Sequence, residues 1–165
     1  MTPDVDFDSF RTIAEIAIAL TGFIGILIVL RADHKAFPRL GVITILGTTL
    51  GAVLFAFVPE FLLELMDPEA AWRLATGAFG WYHLALILNH QVRQWRIQAN
   101  TPVQWVIVLL SLVVVGLKIG VGFGFWLEQA FAIYLLGLWW LVGIAGYLFA
   151  RVMLDESGQR DPAGP

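Results

Sequence analysis

The chain has 165 residues, of which 59% are hydrophobic and only 14% are charged, and its net charge is −3. Soluble domains carry about 25% charged residues, so this deficit, together with several long apolar runs, predicts a membrane protein whose main partner is the lipid bilayer. The negative net charge and the lack of a basic cluster argue against a nucleic-acid partner, and the absence of cysteine excludes disulfides, thiolate metal sites and thiol nucleophiles.

Five apolar runs predict an all-α, polytopic transmembrane helical bundle in one domain, residues 1–154. The predicted spans cover residues 12–30, 40–58 (with an extension to 65 past Pro59), 72–89, 103–126 and 130–150. The third run is short and contains His83, so a four-span bundle is the alternative. Pro102 is expected in the first turn of the fourth helix. The polar tail, residues 155–165, is predicted to be a disordered cytoplasmic segment.

Positive charges near the span ends predict the orientation of the bundle. The first loop, the third loop and the tail carry seven basic residues: Arg31, Lys35, Arg39, Arg93, Arg96, Arg151 and Arg160. The opposite side carries Arg11 and Arg73. Because positive loops stay in the cytoplasm, we expect a multi-pass protein of the bacterial inner (cytoplasmic) membrane, with its N-terminus outside and its C-terminus in the cytoplasm.

Four ionisable residues form a predicted intramembrane polar cluster: Glu15, Glu60, His83 and Lys118. In the predicted topology all four lie in the outer half of the membrane or near its midplane, on faces with small or polar neighbours. Charged groups are costly in lipid, so these side chains should point into the bundle. The cluster is either a proton- or cation-binding site or a structural network whose members satisfy one another.

Lys118 lies about ten residues from the turn at Glu128, or roughly 15 Å at the rise of an α-helix, which places it near the bilayer centre. It therefore needs an anion or a water-filled cavity. Glu15 and Glu60 are the candidate anions at a compatible depth, and we expect one of them to hold Lys118. An ion pair between Arg11 and Glu15, one helical turn apart, is the competing role for Glu15.

The glycines predict two helix-packing faces. Gly116, Gly120 and Gly124 recur every four residues in the fourth run, and Gly47 and Gly51 have the same spacing in the second. Bare backbones allow helices to approach closely. We expect both faces to contact another helix, either in the same chain or in a second copy.

The stretch from Ile13 to Gly25, IAEIAIALTGFIG, resembles the first helix of small uncharacterised bacterial membrane proteins that open with the pattern A-E-I-A-I-A-L-x-G-F. This resemblance covers one helix and implies no known activity. The glutamate after alanine in helix one, Ala14-Glu15, is also similar to the small multidrug-resistance transporters, whose carboxylate exchanges protons for cationic drugs. This chain departs from them because it is longer, has five predicted spans and carries a membrane lysine.

These patterns favour an oligomeric membrane scaffold or accessory subunit, with pore formation as one form of that role. Its partner is expected to be a second copy of the chain or another membrane protein. The alternative is a small proton-coupled transporter or ion pathway that uses the four residues of the polar cluster. No enzyme activity, catalytic residue, metal site or cofactor is predicted. His83 and His90 lie about 10 Å apart on one helix face, too far to grip one ion, and the sequence has no phosphate loop or G-x-S-x-G elbow.

Overall fold

The structure, a computed structural model, describes residues 7–30, 39–95 and 101–157. These residues form five long helices and one short 3-10 turn: α1 (Phe7–Leu30), α2 (Arg39–Leu65), α3 (Pro68–Trp95), α4 (Pro102–Gly122), the turn Leu127–Gln129, and α5 (Ala130–Ser157). The predicted all-α bundle is confirmed. Every long helix except α3 is long and apolar enough to span a membrane, which fits a multi-pass membrane protein.

Helix α3 is long but less apolar than the other four. Its 28 residues extend about 42 Å at the helical rise, more than the hydrocarbon thickness of a bilayer. It runs antiparallel to α2, since Gly51 faces Tyr82 and Gly47 faces Leu86 further along. Its polar residue His83 is buried in the bundle, where it does not meet lipid. The helix therefore lies beside a membrane-length helix even though its hydropathy is low.

The starts of α3 and α4 follow capping chemistry encoded in the loops. Asp67 Oδ1 accepts a hydrogen bond from the backbone N–H of Ala70 at 3.0 Å, just before α3. Thr101 caps α4 in a reciprocal capping box with Gln104, and Pro102 occupies the first turn as predicted. Proline is tolerated there because the first helical N–H groups have no partner within the helix.

The predicted fourth span reached Trp126, but α4 ends at Gly122. Gly124 has φ of +95° and Trp126 has φ of 53°, both left-handed and incompatible with a continuing α-helix. The chain turns here, and the Trp126 ring folds back until a Cβ on Gly120 would lie 2.8 Å from it. The prediction of one three-glycine helix face is therefore wrong: Gly124 lies in the turn, Gly120 faces Trp126, and Gly116 has no described neighbour within 4 Å of a built Cβ.

Helix α2 continues through Pro59, where the prediction allowed either an end near residue 58 or an extension to 65. Proline lacks the N–H that would bond to the carbonyl four residues earlier, that of Phe55. The Tyr134 hydroxyl from α5 donates a hydrogen bond to this carbonyl. At this buried position, such a replacement donor lets a proline remain in a membrane-length helix.

Some predicted features lie partly outside the described residues. Helix α5 extends to Ser157, so residues 155–157 of the predicted tail are helical. Residues 158–165 of the tail are outside the described ranges, as are Arg31, Lys35 and Arg96, on which the predicted orientation depends.

A buried lysine and histidine as the candidate functional site

Lys118 on α4 is completely buried at the centre of the bundle. Its Nζ lies 2.9 Å from Nδ1 of His83 on α3 and 3.6 Å from the centre of the Phe79 ring. On the α5 side it is so close to Gly137 that a Cβ added there would lie 3.2 Å from Nζ. Three helices therefore enclose this amino group, and a histidine and an aromatic face are its polar and π partners.

No carboxylate in the described part of the chain forms an ion pair with Lys118, so the expectation that Glu15 or Glu60 holds it is wrong. Glu60 instead bonds to Arg11 at 3.1 Å, and Glu15 is exposed on the surface of α1. Helical side chains lean toward the N-terminus of their own helix. Lys118 therefore leans toward the α4 N-terminus, away from the end of the bundle where both glutamates lie.

The predicted competing pair, Arg11 with Glu15, does not form within the chain either. The Arg11 guanidinium lies 3.5 Å from Asp8 and 3.1 Å from Glu60, in contacts that are largely open to the surroundings. Of the four residues in the predicted polar cluster, the structure brings only His83 and Lys118 together.

The geometry of the lysine–histidine pair limits its charge. A hydrogen bond between Nζ and Nδ1 needs a donor on one atom and a lone pair on the other. An ammonium facing an imidazolium would place two donors against each other, so the bonded pair holds at most one extra proton. Imidazole can accept a proton at one ring nitrogen and release one from the other. His83 can therefore pass a proton between its Nε2 side and Lys118.

A cavity of about 70 Å³ begins at His83 and extends toward the end of the bundle where α3 ends and α4 begins. Most of its exposed lining surface is apolar, although eight of the lining residues carry polar side chains: Thr44, Thr48, His83, His90, Gln91, Gln104, Ser111 and Tyr147. Thr44 Oγ1 lies 3.0 Å from His90 Nδ1, and Trp140 donates to Ser111 Oγ at 2.8 Å. A cavity of this size has room for a few water molecules.

The opposite side of the pair is closed by rings. Phe79, which contacts Lys118, stacks on Phe55 with centroids 4.7 Å apart and meets Tyr134 at 5.1 Å. Further rings continue this aromatic layer: Phe10, Trp72 and Phe131. Lys118 thus lies between His83, which lines the cavity, and a layer of aromatic rings.

Two buried polar atoms in the described bundle have no hydrogen-bond partner, and both are on α3. They are His83 Nε2 and Thr76 Oγ1. The two residues are seven positions apart, which places them on the same helix face about 10 Å apart along the axis. Unpaired buried polar groups are uncommon and costly. His83 therefore keeps one ring nitrogen, Nε2, outside its contact with Lys118.

Sequence reasoning missed several residues of this site. Phe79 is indistinguishable in sequence from a core phenylalanine, and the cavity residues Gln91 and Gln104 lie near predicted span ends, where polar residues are ordinary. A usable pattern was present on α2, where Thr44 and Thr48 are four residues apart and share a face.

Comparison of the chain with protein-family models, with characterised proteins and with solved structures finds no match.

Proposed function

We propose that this protein is a proton pathway in its membrane and that the Lys118–His83 pair is the site that holds the proton. The observation that carries this proposal is a fully buried lysine whose polar partner is a histidine that also lines a cavity between the helices. Ionisable groups inside a bundle are costly, and proton relays are among their established uses. The sequence-based alternative of an ion pathway is retained, with Glu15 and Glu60 removed from it.

The proposed path uses groups that exchange protons. A proton enters the cavity near the partly exposed His90, crosses its few water molecules and the Ser111 hydroxyl, and binds to His83 Nε2. His83 then releases a proton from Nδ1 to Lys118 across the 2.9 Å hydrogen bond. On the other side of the pair, the Thr76 hydroxyl, buried without a partner on α3, is the polar group proposed to take part in onward transfer. If the N-terminus is outside in a bacterial inner membrane, as the basic loops suggest, the cavity faces the cytoplasm.

Proton flux into liposomes tests the proposal. The purified protein is reconstituted, a potassium diffusion potential is applied, and internal pH is followed with a trapped dye. We expect flux above that of empty liposomes, and its loss in Lys118→Met, because methionine fills the same space beside Phe79 without a titrating group. Thr49→Val is the matched control: Thr49 is also fully buried, but it bonds to Thr21 outside the cavity. Wild-type flux at background, or full flux in Lys118→Met, would refute the pathway.

A stability cycle tests the pair independently of flux. Lys118→Met and His83→Phe should be non-additive, with a coupling of about 0.5–3 kcal/mol, because each removes the other's hydrogen-bond partner. Lys118→Met combined with Glu60→Gln should be additive, since Glu60 bonds to Arg11. The readout is thermal unfolding in one detergent. Coupling to Glu60 instead of His83 would contradict the described geometry.

A further inference from the structure

The surface of α1 carries charges at a depth where lipid cannot satisfy them. Glu15 lies within the candidate span Phe7–Ile26, about 12 Å along the helix from its first residue. It is exposed, and it forms no hydrogen bond or ion pair with another residue of the described ranges. Arg11, one turn away on the same face, has a side chain that is 54% exposed. A carboxylate facing hydrocarbon is costly, so this face of α1 needs a partner that the described residues do not supply.

The side chains on the same face become smaller further along the helix. Ala19 and Gly22 follow Glu15 at spacings of four and three residues, and both are exposed. A Cβ built on Gly22 meets nothing within 4 Å, so a second helix has room to approach the backbone there. The exposed face of α4 is different: Val106, Leu109 and Val113 are aliphatic side chains for which lipid is a sufficient neighbour.

We propose that a second copy of this chain packs on the α1 face formed by Arg11, Glu15, Ala19 and Gly22. In this dimer the two α1 helices run parallel and cross at Ala19 and Gly22, and Arg11 of each copy pairs with Glu15 of the other. A two-fold interface brings residue i onto j and j onto i. A face that carries a cation and an anion one turn apart is therefore complementary to itself, whereas an acidic face alone would need a cation from a different protein.

Arg11 has donors left for this contact. One terminal nitrogen bonds to Glu60 at 3.1 Å and the other lies 3.5 Å from Asp8, while a guanidinium presents five N–H groups. The proposed dimer contact satisfies Glu15 without breaking either contact within the chain. It is independent of the proton pathway, which lies inside the bundle and uses neither residue.

Disulfide cross-linking in membranes tests the face. The chain has no cysteine, so a single-cysteine variant has one thiol. Ala19→Cys and Gly22→Cys should form cross-linked dimers on mild oxidation, while Gly116→Cys, on the exposed part of α4, should not. Cross-linking only at Gly116 would move the interface to α4 and overturn the proposal. Failure to cross-link at both α1 positions would also overturn it. Labelling with maleimide would then show whether the thiols are open to reagent or shielded by a different protein or lipid.

Charge exchange tests the ion pairs. In the Ala19→Cys background, Glu15→Arg should lose the cross-linked dimer because it sets two arginines against each other across the interface, and Arg11→Glu should lose it by opposing two glutamates. Expressed together with different tags, these two variants should cross-link to each other and restore the dimer, since each arginine then meets a glutamate. Glu60→Gln, which removes a partner of Arg11 within the chain, should leave the dimer intact. Equal cross-linking of every variant with itself would refute the proposed pairing.

Discussion

At the scale of single residues, Pro59 and Tyr134 act on the same carbonyl although 75 positions separate them in the sequence. Neither residue reveals this link by itself. Tyr134→Phe should destabilise the bundle by about 1–3 kcal/mol, because the Phe55 carbonyl that Pro59 deprives of its helical donor would lose its replacement. In a Pro59→Ala background the helical N–H returns, and the same change should cost less. Thermal unfolding of the four proteins measures this difference.

Tyr82→Phe is the matched control for that cycle. The Tyr82 hydroxyl also donates to a carbonyl of α2, that of Gly47, at 2.7 Å. Gly51, four residues after Gly47, still has its N–H, so this carbonyl does not depend on the tyrosine. A cost for Tyr82→Phe as large as that for Tyr134→Phe, or no relief from Pro59→Ala, would show that the proline is not the reason Tyr134 matters.

At the scale of helices, a close backbone contact between α3 and α4 depends on Gly77 and Gly122. A Cβ added to Gly122 would lie 2.8 Å from the Gly77 backbone, whereas one added to Gly116 would meet nothing within 4 Å. Gly122→Ala should therefore cost about 1–3 kcal/mol through overpacking, and Gly116→Ala should leave stability unchanged. The melting temperatures of the two variants in detergent make the comparison. Equal tolerance of both changes would mean that this crossing is looser than the structure describes.

At the scale of the whole molecule, the number of crossings decides which compartment the cavity faces. If α3 crosses with the other four helices, reporters fused after Lys35, Asp67, Arg96 and Ser157 should report the cytoplasm, the outside, the cytoplasm and the cytoplasm. The fusion after Arg96 is diagnostic, since a periplasmic result there would leave four spans. Because α3 carries His83, that outcome would also contradict a Lys118–His83 pair inside a bundle of five crossing helices.

The amino-acid sequence by itself determined the class of protein and five of the ten helix ends to within one residue, counting the extension of the second span to residue 65. Long apolar runs have few alternatives to helix in lipid, and Pro102 and the start of α5 at Ala130 were predictable from local chemistry. The sequence also identified His83 and Lys118 as residues that must be inside the bundle, because a charge is costly anywhere else.

Only the tertiary structure decided which polar residues meet. The rotation of each helix about its axis and the depth of its side chains place Lys118 against His83, leave Glu15 exposed and join Glu60 to Arg11. Residue spacing defines a helix face but not the helix that packs on it, so the regular series Gly116, Gly120 and Gly124 was misleading. A contact between two helices depends on the facing side chains of both, so the sequence of one helix alone does not predict it.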